Sequence, residues 1–167
     1  MSIRLQNNMS KEKIKSSREI EIIANGLRNH GNILVTTNGI FDILHVGHIR
    51  YLQEAKKLGD MLIVAVNSDA STKRLKGDSR PINNENDRAE VLAALECVDF
   101  VTIFNDDNPI KILSLLKPNV HVKGGDYSIS QIVEKDAVEK SGGKVVLIPM
   151  IEGYSTTDII QKMNITK

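Results

Sequence analysis

The chain is predicted to be an α/β protein built on an open, parallel sheet of five strands, with an extra helix at its N-terminus. Three observations predict this. Five short runs, residues 33–37, 61–66, 100–104, 120–123 and 144–149, are almost continuously apolar and rich in β-branched side chains, as strands buried on both faces are. The segments between them are long enough for the helical crossovers that parallel pairing requires. The length of 167 residues, 41% hydrophobic and 26% charged, suits one compact α/β unit.

The elements come in order along the chain. Residues 1–31 form a helical extension ahead of the α/β domain of residues 32–167. The first ten or so are expected to fray, after which Ser16 and Glu19 have capping-box spacing. Ile20, Ile23 and Leu27 then share one helical face that ends at Gly31, and this helix is expected to pack on the domain or on a partner subunit. Ile49, Leu52 and Ala55 give a stripe stopped by Gly59. Val91, Leu92 and Leu95 mark a second helix, opened by Asn83 or Asn84. Asn108 caps a third with Pro109 at its first position, and Lys117-Pro118 closes it. Ser155-Thr156-Thr157 opens the last, through Ile159, Ile160 and Met163.

Composition excludes several function classes. Twenty-two Lys+Arg against 21 Asp+Glu leave a formal charge of +1, too balanced for a nucleic-acid binder. Three Phe, three Tyr and no Trp offer no stacking platform for single strands. No run approaches the ~20 apolar residues of a membrane span, so no membrane partner is expected. Cys97 is the only cysteine, which rules out an internal disulfide and points to a reducing, cytoplasmic compartment. A phosphate-binding P-loop, a Gly-x-Gly-x-x-Gly after the first strand and a Gly-x-Ser-x-Gly elbow are all missing from the sequence.

In an open α/β sheet, ligands sit beyond the carboxyl ends of the strands. Polar, glycine-rich and cationic residues occupy those positions here. Asn38-Gly39-Ile40-Phe41-Asp42-Ile43-Leu44-His45-Val46-Gly47-His48 comes after the first strand. Asn67-Ser68-Asp69 and the basic loop of Lys73, Arg74 and Lys76 come after the second. Lys123-Gly124-Gly125-Asp126 succeeds the fourth and Ser155-Thr156-Thr157 the fifth. His45 and His48, three apart at a helix start, project from one turn, and Gly47 lets a ligand approach the backbone. Together with the free amides of the helix end they suit a phosphoryl group on which charge accumulates. A zinc site needs a third ligand, and only Asp42 is near, so no metal-ligating residues are assigned. Ser155 to Thr157 are ordinary helix-capping residues when taken alone. A lysine ending a buried strand, as Lys123 does, needs an anionic partner. Arg88 borders a buried helix face, where a snorkelling arginine is the plain alternative.

Residues 38–48, with Ser155-Thr156-Thr157-Asp158-Ile159-Ile160, resemble the cytidylyltransferase-like nucleotidyltransferase superfamily, which shares a His-x-Gly-His signature and a late Ser-Thr-[Ser/Thr] motif. The run 66–81, Val-Asn-Ser-Asp-Ala-Ser-Thr-Lys-Arg-Leu-Lys-Gly-Asp-Ser-Arg-Pro, and Val122-Lys123-Gly124-Gly125-Asp126-Tyr127 are similar to one branch, the D-glycero-β-D-manno-heptose 1-phosphate adenylyltransferases. The resemblance covers residues 33–163. It implies a Rossmann-like sheet of order 3-2-1-4-5 and the reaction of ATP, with Mg²⁺, and heptose 1-phosphate to ADP-heptose and pyrophosphate. It also implies direct attack of the sugar phosphate on the α-phosphorus, in lipopolysaccharide-core carbohydrate metabolism.

Carried over by position, His45, His48 and Lys123 would be catalytic. Gly39, Ile40, Phe41, Asp42, Gly47, Gly124, Asp126, Ser155, Thr156 and Thr157 would bind nucleotide, and Lys76 and Arg88 would face pyrophosphate or sugar phosphate. Two departures stand out. Some cytidylyltransferases carry an arginine where this chain has Met150, so Lys123 or the Lys73–Lys76 loop is expected to supply that charge. Heptose adenylyltransferases often lie behind a fused sugar kinase, so a separate heptose kinase is expected here, and a homodimer by analogy. The alternatives are transfer to another small phosphate, such as glycerol 3-phosphate, or a non-catalytic nucleotide-binding partner of a sugar kinase.

Overall fold

A computed structural model describes residues 9–125, 128–149 and 153–165. Five strands form one sheet: β1 (Leu34–Gly39), β2 (Met61–Asn67), β3 (Phe100–Phe104), β4 (Val120–Gly124) and β5 (Lys144–Ile148). Their order is β3-β2-β1-β4-β5 and every pairing is parallel. The expected strands are all present, with ends moved by one or two residues. The Val and Ile content that marks them also buries them, and Leu62 to Val66 are wholly enclosed.

Eight α-helices are described: α1 (Met9–Glu12), α2 (Ser17–Asn29), α3 (Val46–Lys56), α4 (Asp69–Lys76), α5 (Glu85–Ala93), α6 (Ile110–Leu116), α7 (Lys135–Lys140) and α8 (Thr156–Ile165). They lie on both faces of the sheet. One core gathers Val35, Leu52, Ala55, Leu62, Val64 and Leu92, and so packs α3 and α5 on the first face. The other gathers Ile20, Ala24, Leu34, Ile63, Leu113 and Val138, and packs α2, α6 and α7 on the second.

The N-terminal segment belongs to this packing. Ser16 and Glu19 form the expected capping box on α2, with the Ser16 amide donating to Glu19 Oε2 at 2.9 Å. Ile20 and Ala24 are fully buried against the domain itself. Ahead of that helix, residues 13–15 run along the edge of β3. The Lys15 amide donates to the Val101 carbonyl at 2.8 Å, and the Val101 amide donates to the Lys13 carbonyl at 2.9 Å. The Lys13 ammonium caps the Leu95 and Val98 carbonyls at 3.2 and 2.8 Å.

Several expectations are corrected. Lys73, Arg74 and Lys76 lie not on a loop but on α4, whose N-cap Ser68 accepts from the Ser71 amide at 3.0 Å. Val91 is half-exposed rather than part of the buried stripe, which Ala89, Leu92 and Ala93 make instead. Pro109 is the N-cap of α6 rather than its first helical residue, and Asn108 Oδ1 accepts from the Ile110 amide at 3.1 Å. No helix among the described residues is long and apolar enough to cross a membrane.

Candidate active site

The turn from β1 into α3 builds the centre of the site. Gly39 ends β1 because a side chain there would collide with the Phe41 ring, 2.9 Å from the nearest ring carbon. Phe41 itself has φ of 50°, a left-handed conformation rare for a bulky residue, and the turn delivers its ring into the first core. His45 is then the N-cap of α3, and its carbonyl accepts from the His48 amide at 2.9 Å. The two rings stack with centroids 3.8 Å apart, and the Phe41 ring tilts against His48 at 5.4 Å.

The hydrogen bonds assign roles to the ring nitrogens. The His45 amide donates to His48 Nδ1 at 3.4 Å, so the neutral His48 ring carries its proton on Nε2 and presents a donor. His45 Nδ1 is enclosed without a partner, so any bond this ring makes to a ligand runs through Nε2. Burial, helped by the neighbouring His45, pushes the His48 pKa down to about 4, and burial lowers that of His45. Both are neutral at neutral pH. Gly47 is required between them, because a Cβ there would lie 2.9 Å from His45 Nδ1 and 3.0 Å from Tyr154 Cβ.

An inner cavity of about 160 Å³ brings together eight of the expected residues: Gly39, Ile40, Phe41, His45, Gly47, His48, Lys123 and Gly124. Tyr51 and Tyr154, which sequence reasoning passed over, complete its wall with Asn38. The Tyr51 hydroxyl is bound to Thr37 Oγ1 at 2.7 Å and donates to the Val122 carbonyl at 3.0 Å, which ties α3 across β1 and β4. A Cβ on Gly124 would lie 3.0 Å from the Tyr51 ring, so the glycine keeps this wall close.

The cavity opens into a cleft of about 630 Å³ that adds Asp42, Lys76, Ser155, Thr156 and Thr157. The first residues of α3 and α8 both border it, and helix N-termini offer amides and partial positive charge to an anion. Ser155 caps α8, accepting from the Thr157 amide at 3.1 Å, while the Thr156 hydroxyl donates to the Ile43 carbonyl at 3.1 Å. Lys76 is exposed and has no ion-pair partner among the described residues. Asp126 and Met150 lie outside the described residues.

Two expected ligand contacts have other employment. Asp42 is buried, and its carboxylate accepts from Arg80 Nε at 2.6 Å and from the Ile82 and Asn83 amides at 2.9 Å. Those donors hold its pKa below the usual carboxylate range against the opposing effect of burial. Arg88 is the clearer departure from expectation. Its side chain is wholly buried, and it donates to the carbonyls of Ile40, Asn67 and Asn83 and to Asp69 Oδ1 at 2.5 to 3.0 Å. It borders neither the inner cavity nor the cleft, and instead knots the ends of β1 and β2 to the start of α5.

The anionic partner that Lys123 needs is inside the protein. Its ammonium lies 2.5 Å from Glu134 Oε1 and 3.4 Å from Asn38 Oδ1. Glu134 is 1% exposed and its pKa is lowered to about 2 by the adjacent His121 ring, by the hydrogen bond from Lys123 and by the lysine charge, which together outweigh burial. No group of three His, Cys, Asp or Glu among the described residues could hold a metal ion. Among the described residues, a divalent cation here would be held chiefly through the oxygens of a bound anion rather than by a protein cage.

Residues 36–162 match the family model for cytidylyltransferase-like proteins. The chain is 47% identical over 162 residues to the bifunctional protein HldE of Trichlorobacter lovleyi, covering 97% of this chain and 33% of that one. It is 53% identical over 154 residues to the HldE of a Nitratiruptor species, with 92% and 32% covered. The chain thus spans about a third of the length of the curated relatives it matches. Among solved structures, a lipopolysaccharide core biosynthesis protein from Thermoplasma volcanium is 35% identical, with a TM-score of 0.61 over 74% of this chain and 99% of that one. Pantoate-beta-alanine ligase from Francisella tularensis, at 18% identity and a TM-score of 0.62 over 91% of this chain and 77% of that one, shares the fold.

Proposed function

Because the chain belongs to the cytidylyltransferase-like family, we propose that it transfers AMP from ATP to D-glycero-β-D-manno-heptose 1-phosphate, giving ADP-heptose and pyrophosphate. The observation that carries this reading is the shared cavity: Phe41, His45, His48, Lys123 and Gly124 meet at the carboxyl ends of β1 and β4, over the first turn of α3. Its HldE relatives and the lipopolysaccharide core protein support heptose as the sugar.

The sugar phosphate is already an anion at neutral pH, so a phosphate oxygen attacks the α-phosphorus without a general base, and pyrophosphate leaves in line. The protein's task is to align two polyanions and to absorb charge as it builds. His48 donates from Nε2 and His45 from its own outward nitrogen to the phosphoryl oxygens. The α3 amides add their dipoles, and Lys123 supplies a full positive charge. Ser155 and Thr157 at the start of α8 and Lys76 across the cleft receive the outer phosphates. Asp42 and Arg88 act one step back, by holding the turn and the strand ends that carry these donors. Mg²⁺ bound to the triphosphate would lower its charge on entry.

The test is pyrophosphate release with ATP or CTP, Mg²⁺ and a panel of phosphorylated acceptors that includes both heptose 1-phosphate anomers. Turnover confined to ATP and the β-anomer is expected. Preference for CTP or for glycerol 3-phosphate would move the substrate within the family, and ATP binding without turnover would overturn the enzymatic reading.

A further inference from the structure

We propose that Glu134 is a positioning residue for this transfer, holding the Lys123 ammonium at the wall of the inner cavity so that the substrate phosphates meet it there. The inference rests on the proposed adenylyl transfer in this cavity, and it assigns a role to a residue that lies outside every motif of the sequence.

Lysine is a poor choice where a charge must stand in one place, because its flexible four-carbon stem has many rotamers to lose. Glu134 removes that freedom. It is 1% exposed and stands just ahead of α7, its own carbonyl accepting from the Val138 amide at 3.1 Å. The neighbouring Ile132 and Val138 are buried in the second core, so the carboxylate is carried by packed structure. From there Oε1 reaches Lys123 Nζ at 2.5 Å, while Asn38 Oδ1 approaches the same ammonium from β1 at 3.4 Å. Two acceptors on different elements thereby fix the ammonium.

The carboxylate in turn has one source of countercharge. A buried anion must be paired. His121, two residues before Lys123 on β4, lies with Nε2 3.4 Å from Glu134 Oε1, and Thr36 Oγ1 holds its Nδ1 at 2.9 Å. Burial keeps that ring neutral, so the lysine alone balances the charge. Apolar residues of the same volume would serve the core at least as well as this ion pair. What distinguishes the pair is its direction. Thr36 and His121 are sealed from solvent, Glu134, 1% exposed, touches only the outer cleft, and of the four only Lys123, a quarter exposed, reaches the inner cavity.

Steady-state pyrophosphate release from ATP and the β-heptose 1-phosphate tests this, with Glu134→Gln made alone and in a Lys123→Met background. The single change is expected to lower kcat by about 10- to 100-fold, the scale of a misplaced reacting group. In the Lys123→Met background the same change is expected to cost nothing further, because there is no ammonium left to place. Glu134→Asp, which keeps the charge but withdraws it by one methylene, should lose less, and its loss should also vanish in that background. This second variant carries the test if Glu134→Gln does not fold. An unchanged kcat, or an equal loss in both backgrounds, would overturn the positioning role. A silent wild-type enzyme would instead overturn the reading of the reaction itself.

Discussion

His45 and His48 stack ring on ring, centroids 3.8 Å apart and planes inclined by 25°, so neither can take a proton without placing charge against the other. The site therefore works with neutral imidazoles at neutral pH. Their contribution is a pair of N–H dipoles, and the full positive charge on the cavity wall comes from Lys123.

This arrangement has a pH signature. The His48 resonance is expected to titrate near pH 4 by NMR rather than near 6.5, and kcat should show no acidic limb at 6.5. Stability obeys the same linkage. The depressed histidine contributes stability that is complete above 6.5 and is lost as pH falls toward about 4, because the unfolded chain binds the proton first. Glu134 adds a second contribution to stability, present above 4.5 and lost as pH falls toward about 2. Thermal melts at stepped pH should show both. A stability that rises on acidification would contradict the assignment.

His48→Ala removes the Nε2 donor and is expected to lower kcat by ~10²-fold, the cost of losing one transition-state donor, with a smaller effect on KM for ATP. His45→Ala should behave alike, measured by pyrophosphate release.

Gly47→Ala separates folding from function. An alanine in α3 gains up to about 1 kcal/mol of helix propensity, but its methyl group would stand 2.9 Å from His45 Nδ1. A melting temperature close to wild type with activity reduced at least ~10-fold is the expected pair of results.

Arg88→Lys keeps the charge and loses the fork. A lysine cannot serve the Ile40, Asn67 and Asn83 carbonyls and Asp69 together. Denaturant titration should show a loss of about 3 kcal/mol, the scale of a broken buried charge network. A variant with wild-type stability and a raised KM alone would show that Arg88 faces substrate after all.

Lys123→Met strands the Glu134 carboxylate, so the single variant should melt below the Lys123→Met/Glu134→Gln double variant. Differential scanning calorimetry would read the recovery directly. Additive losses would mean that the two side chains are energetically independent.

The strands were legible because the chemistry that buries them, runs of Val and Ile, is local. So were the caps at Ser16 and Ser155, and of the two candidates Asn83 and Asn84 the second is the cap; in each a side-chain oxygen meets an amide two or three residues away. The helix α4 was not, because its residues are polar and only Ser71 and Thr72 are buried; the strand-end Ser68 was its one signal. In the site, the clustering of Phe41, His45, His48, Lys123 and Gly124 could be expected from their places at the carboxyl ends of β1 and β4. The partners of Lys123, Arg88 and Asp42 could not. That Lys123 needed an anion was readable, but Glu134 is one of 21 acidic residues, and only the packing of α7 against β5 and α6 selects it.

The short arm of residues 13–15 gives the sheet a direction in which it can propagate. On the β3 flank, the amide and carbonyl of Val101 are already taken, so a foreign strand arriving there finds its template interrupted. On the other flank, β5 pairs only with β4 among the described residues, and it begins at the exposed Lys144. Among the described residues the edge left open for strand pairing is thus that of β5, and it begins with a lysine, a residue type that edge strands carry against such pairing.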